Sequence, residues 1–267
     1  MVEAMKKMDK PQENARLKDG KVLIVGIGGL GCPAALALAR AGVGTIGLID
    51  PDVVELSNLN RQILHSTLDL GRPKVASASE KLRQINSEIV ILPHHDRLHS
   101  SNVASYFQAY DFIIDGTDGV TTKFLINDAA VLLDKPFSYA GIVQFTGQIM
   151  TILPRKTTCL RCLFPIPPSS DDIPTCQESG ILGSIAGSLG VLQATEAVKY
   201  LSGEEELLTG RLLIYEALSL RWREVQLSRN RHCPLCGDDP TIKTVDNEAV
   251  GMQRACVSGF PSSNMRA

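Results

Sequence analysis

Compact apolar runs alternate with Ala-, Leu- and charge-rich segments through the first half of the chain. KVLIVG (21–26) and TIGLID (45–50) are typical of buried parallel strands, and the Ala/Leu-rich segment between them predicts a helix. A second helix is predicted at 72–86, with Pro73 in its first turn. EIVILP and DFIIDGTD predict two further parallel strands. This alternation predicts an α/β fold with a Rossmann-like sheet.

The pattern changes after residue 136, where period-two alternation of apolar and polar residues replaces the buried runs. GQIMTIL, RLLIYEA and RWREVQL predict antiparallel strands that continue the parallel part of the sheet. Before the second of them come a Pro-, Ser- and Cys-rich crossover loop at 154–180 and a small-residue-rich helix at 181–203. We expect a short N-terminal lead at 1–19, one domain at 20–237, and a disordered tail at 238–267.

Composition narrows the class of protein. The 267 residues, 44% apolar and 21% charged, are enough for one large domain with a buried core, and a net charge of −2 argues against a nucleic-acid partner. No apolar run approaches the ~20 residues that span a bilayer, and the first ten residues lack the apolar region of a secretory signal. Seven cysteines, two pairs of them in CxxC motifs, suit a reducing compartment. We therefore expect a soluble cytoplasmic protein.

The first predicted strand runs directly into the turn GIGGLG, which opens a helix. Its glycines Gly26, Gly28, Gly29 and Gly31 allow a tight turn whose N–H groups approach phosphates at the positive end of that helix. Asp50, at the end of the second strand, can accept hydrogen bonds from ribose hydroxyls. These features indicate a nucleotide, with NAD included, unless the glycines serve only helix–strand packing.

A polar cluster after the second strand favours a triphosphate over NAD. Arg61 and Lys74 can neutralise charge that builds on phosphates during transfer, and Asn58 and Asn60 lie beside Arg61 in the sequence. A hydride-transfer site has no need for such a cluster. Each cation, taken singly, also fits a solvated surface position.

Six motifs occur in a fixed order from about residue 20 to about residue 237. They are VLIVGIGGLGCPAALALARAGVGTIGLIDPDVVELSNLNRQILH, GRPKV, IIDGTD, CLRCLFP, TCQESGILG and HCPLCG. With these motifs the sequence resembles the ThiF/MoeB/HesA family, the bacterial relatives of ubiquitin-activating enzymes. The resemblance implies ATP-dependent adenylation of the C-terminal glycine carboxylate of a small ubiquitin-like sulfur carrier. Such carriers are ThiS- or MoaD-like, end in Gly-Gly, and serve thiamin or molybdopterin biosynthesis.

The resemblance also implies roles for individual residues and a homodimer. Asp118 matches the family's catalytic, magnesium-binding aspartate. The family's ATP-binding stretch matches Gly29, Asp50, Ser57, Asn58, Asn60, Arg61 and Lys74. Because the attacking carboxylate is already a nucleophile, we expect Arg61, Lys74 and Asp118 to neutralise charge and align phosphates rather than to act as a general base. Asp118 also fits an alternative in which Asp-Gly merely forms a turn.

The sequence departs from the family pattern at two places. Gly119 stands where the family usually has Asn, and no arm of the type RYxRQ precedes Lys21, where Arg16 is the one nearby arginine. The missing arm predicts weaker ATP handling than in relatives that have it. No sulfurtransferase domain fits after Cys236, so we expect a separate sulfurtransferase or cysteine desulfurase as a partner.

The cysteines predict two kinds of chemistry. Cys159 and Cys162, with Cys233 and Cys236, have the spacing of two zinc knuckles and predict a closed structural Zn²⁺ site, unless they are simply buried thiols. Cys176 precedes a predicted helix, whose N-terminus favours the thiolate. In family members that serve thiamin, the matching cysteine links covalently to the carrier, and in others it is dispensable. Both alternatives stay open for Cys176.

Two further residues, Cys32 and His65, and three alternative functions remain to be considered. Cys32 fits a packed helix position, and His65 fits either a phosphate contact or a packed or capping position. The alternatives are a tRNA threonylcarbamoyladenosine dehydratase-type enzyme, a NAD-dependent oxidoreductase and a catalytically impaired carrier-binding module. The two knuckles argue against the first, Lys74 and SNLNRQ argue against the second, and Gly119 favours the third.

Overall fold

The computed structural model describes residues 11–168 and 182–245. Its strands are β1 (Lys21–Val25), β2 (Thr45–Ile49), β3 (Val90–His94), β4 (Phe112–Asp115), β5 (Phe137–Val143), β6 (Thr146–Ile152), β7 (Arg211–Glu216) and β8 (Arg221–Gln226). Its helices are α1 (Pro11–Asp19), α2 (Gly31–Ala41), α3 (Lys74–Ile85), α4 (Val103–Gln108), α5 (Val120–Leu132), α6 (Leu160–Leu163) and α7 (Gly183–Ser202). Short 3₁₀ turns lie at Leu56–Asn58 and Thr67–Asp69.

The described strands form an eight-stranded sheet in the order β3-β2-β1-β4-β5-β6-β7-β8. Strand β1 pairs in parallel with β2 and β4, and β5 pairs in parallel with β4. Strands β6, β7 and β8 then add in antiparallel fashion. The predicted change from a parallel to an antiparallel sheet is confirmed. The strand order reverses between β1 and β4, and in open α/β sheets ligands bind outside the carboxyl ends of the strands at such a reversal.

Both faces of the parallel strands are covered. Val22 and Ile24 of β1 pack into one apolar cluster with helices α2 and α3, whereas Leu23 and Val25 pack on the opposite face with α4 and α5. This double burial explains the continuous apolar run, because a strand with no solvent-facing side has no polar positions to alternate. Among the described helices, none combines the length and the apolar character needed to cross a membrane.

Strand β5 and helix α4 are elements that the sequence pattern does not predict. The first five residues of β5 are all buried, since helix α7 packs on this strand and neighbouring apolar residues cover it from the other side. The period-two signal is therefore absent from its sequence. Helix α4 spans only six residues, which is too short for a helical period to be visible.

The sequence predicts that the domain starts at residue 20. In the structure, the packed domain begins earlier. Helix α1 packs against α7, and the Arg16 guanidinium donates to the carbonyl of Ser202 over 3.4 Å. A Cβ on Gly44 would lie only 1.7 Å from the carbonyl oxygen of Lys18, so the end of α1 requires a glycine there. The predicted N-terminal lead therefore contains a helix that is part of the domain.

The domain also extends past residue 237, its predicted end. The backbone N–H of Ile242 donates to the Pro234 carbonyl over 2.8 Å, and Val245 packs against the core. Asp238 accepts hydrogen bonds from two arginines, Arg229 and Arg231. Helix α6 lies within the predicted crossover loop, while 169–180 of that loop and 246–267 of the predicted tail lie outside the described residues.

A buried ion pair joins helix α5 to helix α6. The guanidinium of Arg161 donates to the Asp128 carboxylate at 2.6 Å from Nη2 and 3.1 Å from Nε, and both residues are less than 4% exposed. Next to this pair, the side-chain oxygen of Asn127 accepts the backbone N–H of Leu160 over 2.8 Å. The second half of α5 is thereby fixed to the segment between two of the cysteines.

Removal of the carboxylate should destabilise the domain strongly. In Asp128→Ala the buried Arg161 cation loses the Asp128 carboxylate, so we expect the free energy of unfolding to fall by about 3–5 kcal/mol. Urea denaturation measures this change. Asp134→Asn is the control, because Asp134 is exposed and its positive φ of 56° is tolerated by asparagine. Equal stability of the two variants would contradict the importance of the pair.

Candidate functional site

A cavity of about 440 Å³ opens at the carboxyl ends of β1, β2 and β4, where the strand order reverses. Its volume lies within the range of about 300–1,000 Å³ that is usual for ligand pockets. The predicted site residues that line it are Gly26, Gly28, Gly29, Asp50, Arg61, Lys74 and Asp118. Polar and charged residues that the sequence reasoning missed also line it, among them Asp52, Gln62, Asp96, Arg97, Lys123, Tyr139 and Gln148.

The glycine-rich turn carries the chain from β1 into helix α2. Gly26 has a φ of +88°, which favours glycine, and its N–H donates to the carbonyl of Ile49 at the end of β2. A Cβ on Gly31 would lie 1.9 Å from the Gly26 oxygen. Gly31 does not line the cavity, so its visible role is to let α2 start close beneath the turn. The N–H groups at the start of α2 favour an anion in the cavity.

Asp50 organises this turn from the end of β2. One carboxylate oxygen accepts the backbone N–H of Ile27 over 2.6 Å, and the other accepts the N–H of Asp52 over 2.8 Å. Burial raises the pKa of the Asp50 carboxyl, and the charge of Lys74 opposes that shift. Each oxygen retains acceptor capacity, so the predicted bonds from ribose hydroxyls are chemically compatible with this arrangement.

Lys74 begins helix α3 and is only 6% exposed. Its Nζ donates to the Asp52 carboxylate over 3.0 Å, and that carboxylate side chain is 56% exposed. The ammonium is thus held at the cavity wall by a partner that water already solvates. A phosphate group could therefore take the place of Asp52 at little cost in desolvation.

The turn after β2 presents Arg61 to the cavity. Its Nη1 donates to the Ser57 carbonyl over 3.1 Å and to the Asn60 side chain over 3.0 Å. The amide of buried Asn58 donates to the Ser57 hydroxyl over 3.3 Å. Ser57, Asn58 and Asn60 do not line the cavity, and their contacts shape the turn that carries Arg61. Their direct contact with ATP stays a prediction.

Asp118 lies in a loop rather than at the end of a strand. Strand β4 ends at Asp115, because the Asp115 carboxylate accepts both the N–H and the hydroxyl of Thr117 over 3.0 and 2.7 Å. The chain then turns, and the exposed side chain of Asp118 reaches the cavity three residues later. An exposed carboxylate beside a phosphate-sized space suits Mg²⁺, which commonly binds one or two carboxylates together with phosphates and water. Gly119 caps helix α5.

Lys123 is a cavity residue that the sequence reasoning missed. Its Nζ donates to the Asp115 carboxylate over 3.0 Å and to the Ala140 carbonyl over 2.6 Å, and it lies 5.1 Å from the centre of the Tyr139 ring. The Tyr139 hydroxyl accepts from Gln148 over 2.8 Å, and burial raises the pKa of this phenol. A lone lysine at the start of the apolar helix after Asp118 was the available signal.

His65 lies beneath the glycine-rich turn and does not line the cavity. Its Nδ1 is 3.0 Å from the Ser77 hydroxyl, and its Nε2 is 3.3 Å from the Ile27 carbonyl oxygen. With the proton on Nε2, the ring donates to Ile27 and accepts from Ser77. Burial lowers the pKa of His65, which favours this neutral form. Of the two positions considered for His65, the structure has the packed one.

The four predicted ligand cysteines come together. Their sulfurs all lie within 4.8 Å of one another, with Cys159 at 3.9 Å from Cys162 and 3.7 Å from Cys233, and Cys162 at 3.3 Å from Cys236. Tetrahedral zinc with bonds of about 2.3 Å places its sulfurs about 3.8 Å apart, so the cluster fits this metal. The backbone N–H of Asn230 points at the Cys162 sulfur over 3.4 Å, as a thiolate prefers.

The predictions for Cys32 and Cys176 fare differently. Cys32 is buried, its sulfur lies 3.5 Å from the Ile27 carbonyl oxygen, and burial raises the pKa of its thiol to about 12. The prediction of a packed Cys32 is confirmed. Cys176 lies outside the described residues, so its covalent role stays a prediction.

Purified protein should contain about one zinc per chain. In Cys233→Ser, loss of one thiolate should release the metal and lower the unfolding temperature, because zinc binding and folding are coupled. Elemental analysis of folded protein measures the metal, and Cys32→Ser, which removes a thiol outside the cluster, should retain it. Folded wild-type protein with no zinc, prepared without chelators, would contradict the site.

His65 should make stability depend on pH. Because its pKa is lowered in the folded protein from 6.5, the unfolded chain takes up this proton at a higher pH than the folded chain. The free energy of unfolding should therefore fall as the pH drops below about 6.5. The fall should be smaller in His65→Gln, whose amide can still donate to Ile27. Urea denaturation at about pH 7.5 and about pH 5.5 tests this. Variant His95→Gln, at an exposed position, should match the wild type.

Known proteins resemble the chain in sequence and in fold. The sequence profile of the ThiF family matches residues 3–235. The adenylyltransferase and sulfurtransferase MOCS3 of Anopheles gambiae is 43% identical over 246 residues, which are 91% of this chain and 56% of that protein. The sulfur carrier protein adenylyltransferase of Thermus thermophilus is 42% identical over 245 residues, covering 90% of each chain.

The match to MOCS3 proteins is partial, and the match to solved structures concerns the fold. The chain spans little more than half the length of the three mosquito MOCS3 proteins. A crystal structure of E. coli MccB superposes with a TM-score of 0.76 at 23% identity, covering 85% of this chain and 69% of that chain. With the family profile matching nearly all of the described residues, the chain belongs to the ThiF family.

Proposed function

We propose that this protein uses ATP to adenylate the C-terminal glycine carboxylate of a small ubiquitin-like sulfur carrier, ThiS- or MoaD-like. The observation that carries the proposal is the convergence of Arg61, Lys74 and Asp118 on one cavity beside the glycine-rich turn. The names of its relatives in Thermus thermophilus and Anopheles gambiae point to the same reaction.

The charge distribution of the cavity suits attack at the α-phosphate. A carboxylate oxygen of the carrier forms the new bond to the α-phosphorus, and the bond from that phosphorus to the bridging oxygen breaks and releases pyrophosphate. No proton has to move. Arg61 and Lys74 stabilise the negative charge on the transferring phosphates, and the N–H groups at the start of α2 add to that field. Bound Mg²⁺, held by Asp118, would neutralise further phosphate charge.

An apolar surface beside the cavity supports a protein as the second substrate. Exposed apolar side chains lie in or next to the two neighbouring turns β5–β6 and β7–β8, namely Val143, Phe145, Leu218, Leu220 and Trp222. The turns are joined by the Ala217 N–H, which donates to the Phe145 carbonyl over 2.9 Å. Val143 also lines the cavity. A folded carrier that covers this surface could extend its C-terminus into the cavity, and surfaces of this kind mark protein contacts.

The proposal also covers the step that follows adenylation, in which sulfur is added to the carrier. Conversion of the adenylate to a thiocarboxylate requires a sulfur donor, and we assign that role to a separate sulfurtransferase or cysteine desulfurase. We also propose a homodimer, as the resemblance implies. The charges of the cavity and the apolar surface suit a carrier of either the thiamin or the molybdopterin pathway.

Pyrophosphate exchange into ATP tests the reaction directly. With a carrier ending in Gly-Gly, Asp118→Ala, Arg61→Ala and Lys74→Ala should each reduce exchange by about a hundredfold or more, since each removes charge from the phosphate site or its metal. Exchange should require the carrier's terminal Gly-Gly, so a truncated carrier is the matched substrate control. Lys156→Ala, at an exposed lysine remote from the cavity lining, should exchange like the wild type.

The same measurements separate the alternatives. Full exchange by Asp118→Ala would reduce that residue to a turn former. Tight NAD binding without ATP binding would favour an oxidoreductase, and carrier binding without exchange would favour an impaired binding module. Adenylation of a modified tRNA but not of any carrier would favour the dehydratase-type reaction.

A further inference from the structure

Two arginines, Arg221 and Arg223, are exposed on β8, which is an edge strand of the sheet. Neither side chain forms an ion pair or a hydrogen bond with a residue in the described part of the chain. The other arginines from residue 211 to residue 231 are all paired with a carboxylate, namely Arg211, Arg229 and Arg231. Within this stretch, the lack of a partner is particular to the two positions on β8.

Both arginines lie on the face of the sheet that forms the cavity wall. Residues paired across neighbouring strands share one face of a sheet. Gln148 of β6 lines the cavity and is paired with Ile214 of β7, which in turn is paired with Arg223. A second row runs in the same way from Thr146, also in the lining, to Arg221. Because strands lie about 4.8 Å apart, the backbone of each arginine is about 10 Å from the lining.

The neighbouring side chains leave the charge of both arginines available. Glu216 stands opposite Arg221 in the register, but its carboxylate accepts the Ser219 hydroxyl over 3.4 Å rather than the guanidinium. Arg223 lies opposite Ile214, which carries no charge. The sheet therefore presents two cations just outside the cavity. A partner with acidic side chains at this position would be attracted and oriented by them, because complementary charges raise association rates and discriminate between partners.

We propose that Arg221 and Arg223 select a carrier that presents acidic side chains beside its C-terminal tail. The proposal rests on the proposed function, because it names the surface chemistry of the carrier in that reaction. The exposed Leu218 and Leu220 next to Arg221 suit a protein surface better than a polyanion such as nucleic acid. Since the arginines lie outside the cavity lining, they act on docking of the carrier and not on the phosphates.

Charge reversal in the double variant Arg221→Glu, Arg223→Glu tests the proposal with a ThiS-like and a MoaD-like carrier, each ending in Gly-Gly. In pyrophosphate exchange, KM for the carrier should rise about tenfold or more, while kcat and the Kd for ATP change little. The unfolding temperature should stay that of the wild type, because both positions are exposed. The wild-type KM should rise between about 0.05 and about 0.3 M salt, and that of the variant should not. Carriers whose acidic residues beside the tail are replaced by lysine should restore a low KM to the variant.

The double variant Arg40→Glu, Lys156→Glu is the matched control, because it changes the net charge equally at two exposed positions outside the cavity lining. It should dock both carriers like the wild type, and an equal rise of its KM overturns the proposal. A wild-type KM in the Arg221, Arg223 variant also overturns it and leaves the arginines as protection of an exposed sheet edge. Loss of RNA binding in that variant, with KM for the carrier unchanged, assigns the surface to nucleic acid instead.

Calorimetric binding of the same carriers separates this proposal from the proposed function. Wild-type protein that binds a carrier more tightly than the Arg221, Arg223 variant does, but exchanges no pyrophosphate, refutes the proposed function and not the contact of the arginines. Wild-type protein that exchanges pyrophosphate and binds carrier no better than the variant refutes the contact and not the function. Wild-type protein that binds neither carrier refutes both.

Discussion

The carboxylate of Asp50 accepts the N–H of Ile27, and the geometry of the cavity depends on this bond between β2 and the glycine-rich turn. The other oxygen of Asp50 orients Asp52, and Asp52 in turn holds Lys74. One buried carboxylate therefore fixes both the turn that would receive phosphates and the cation that would neutralise them. The cost of burying Asp50 is offset by these backbone donors and by the nearby ammonium.

Helix α5 connects the cavity to the cysteine cluster. It spans thirteen residues, about 20 Å at 1.5 Å per residue. Lys123 lies in its first turn, at the cavity, while Asn127 and Asp128, just past the middle of the helix, bind the segment around Cys159 and Cys162. The cluster itself lies away from the cavity lining. The contacts of Asn127 and Asp128 therefore join the cysteine segment to a helix whose first turn lines the cavity.

The sequence predicted the features that rest on local pattern. Strand β1, helix α2 and the glycine-rich turn follow from apolar runs and glycine spacing, and the cysteine cluster follows from two CxxC motifs. Strand β5 was missed because burial on both faces removes its alternation. Residues 238–245 were assigned to a tail because their packing depends on contacts that local pattern does not reveal, such as that of Ile242 with the chain near Pro234.

The cavity residues were predictable only where a motif pointed to them. Arg61, Lys74 and Asp118 lie in recognisable sequence motifs. The structure brings all three to one cavity. Gln62 ends the motif SNLNRQ, and Lys123 is a lone lysine in an apolar helix, but neither residue type indicates a role until its surroundings in space are known. Conversely, Gly31 stands in the glycine motif, yet its visible constraint is the close approach of the Gly26 carbonyl.

Hydrogen bonds already formed separate the groups that hold the fold from those left for a ligand. Lys123 donates to a fully buried carboxylate and to a carbonyl, so a phosphate would have to displace strong partners. Lys74 has a partly solvated partner. The group less engaged by the fold is therefore the one more available to a nucleotide. A ligand that pairs with it stabilises the folded state as it binds, so the affinity of the site and the stability of its walls are linked.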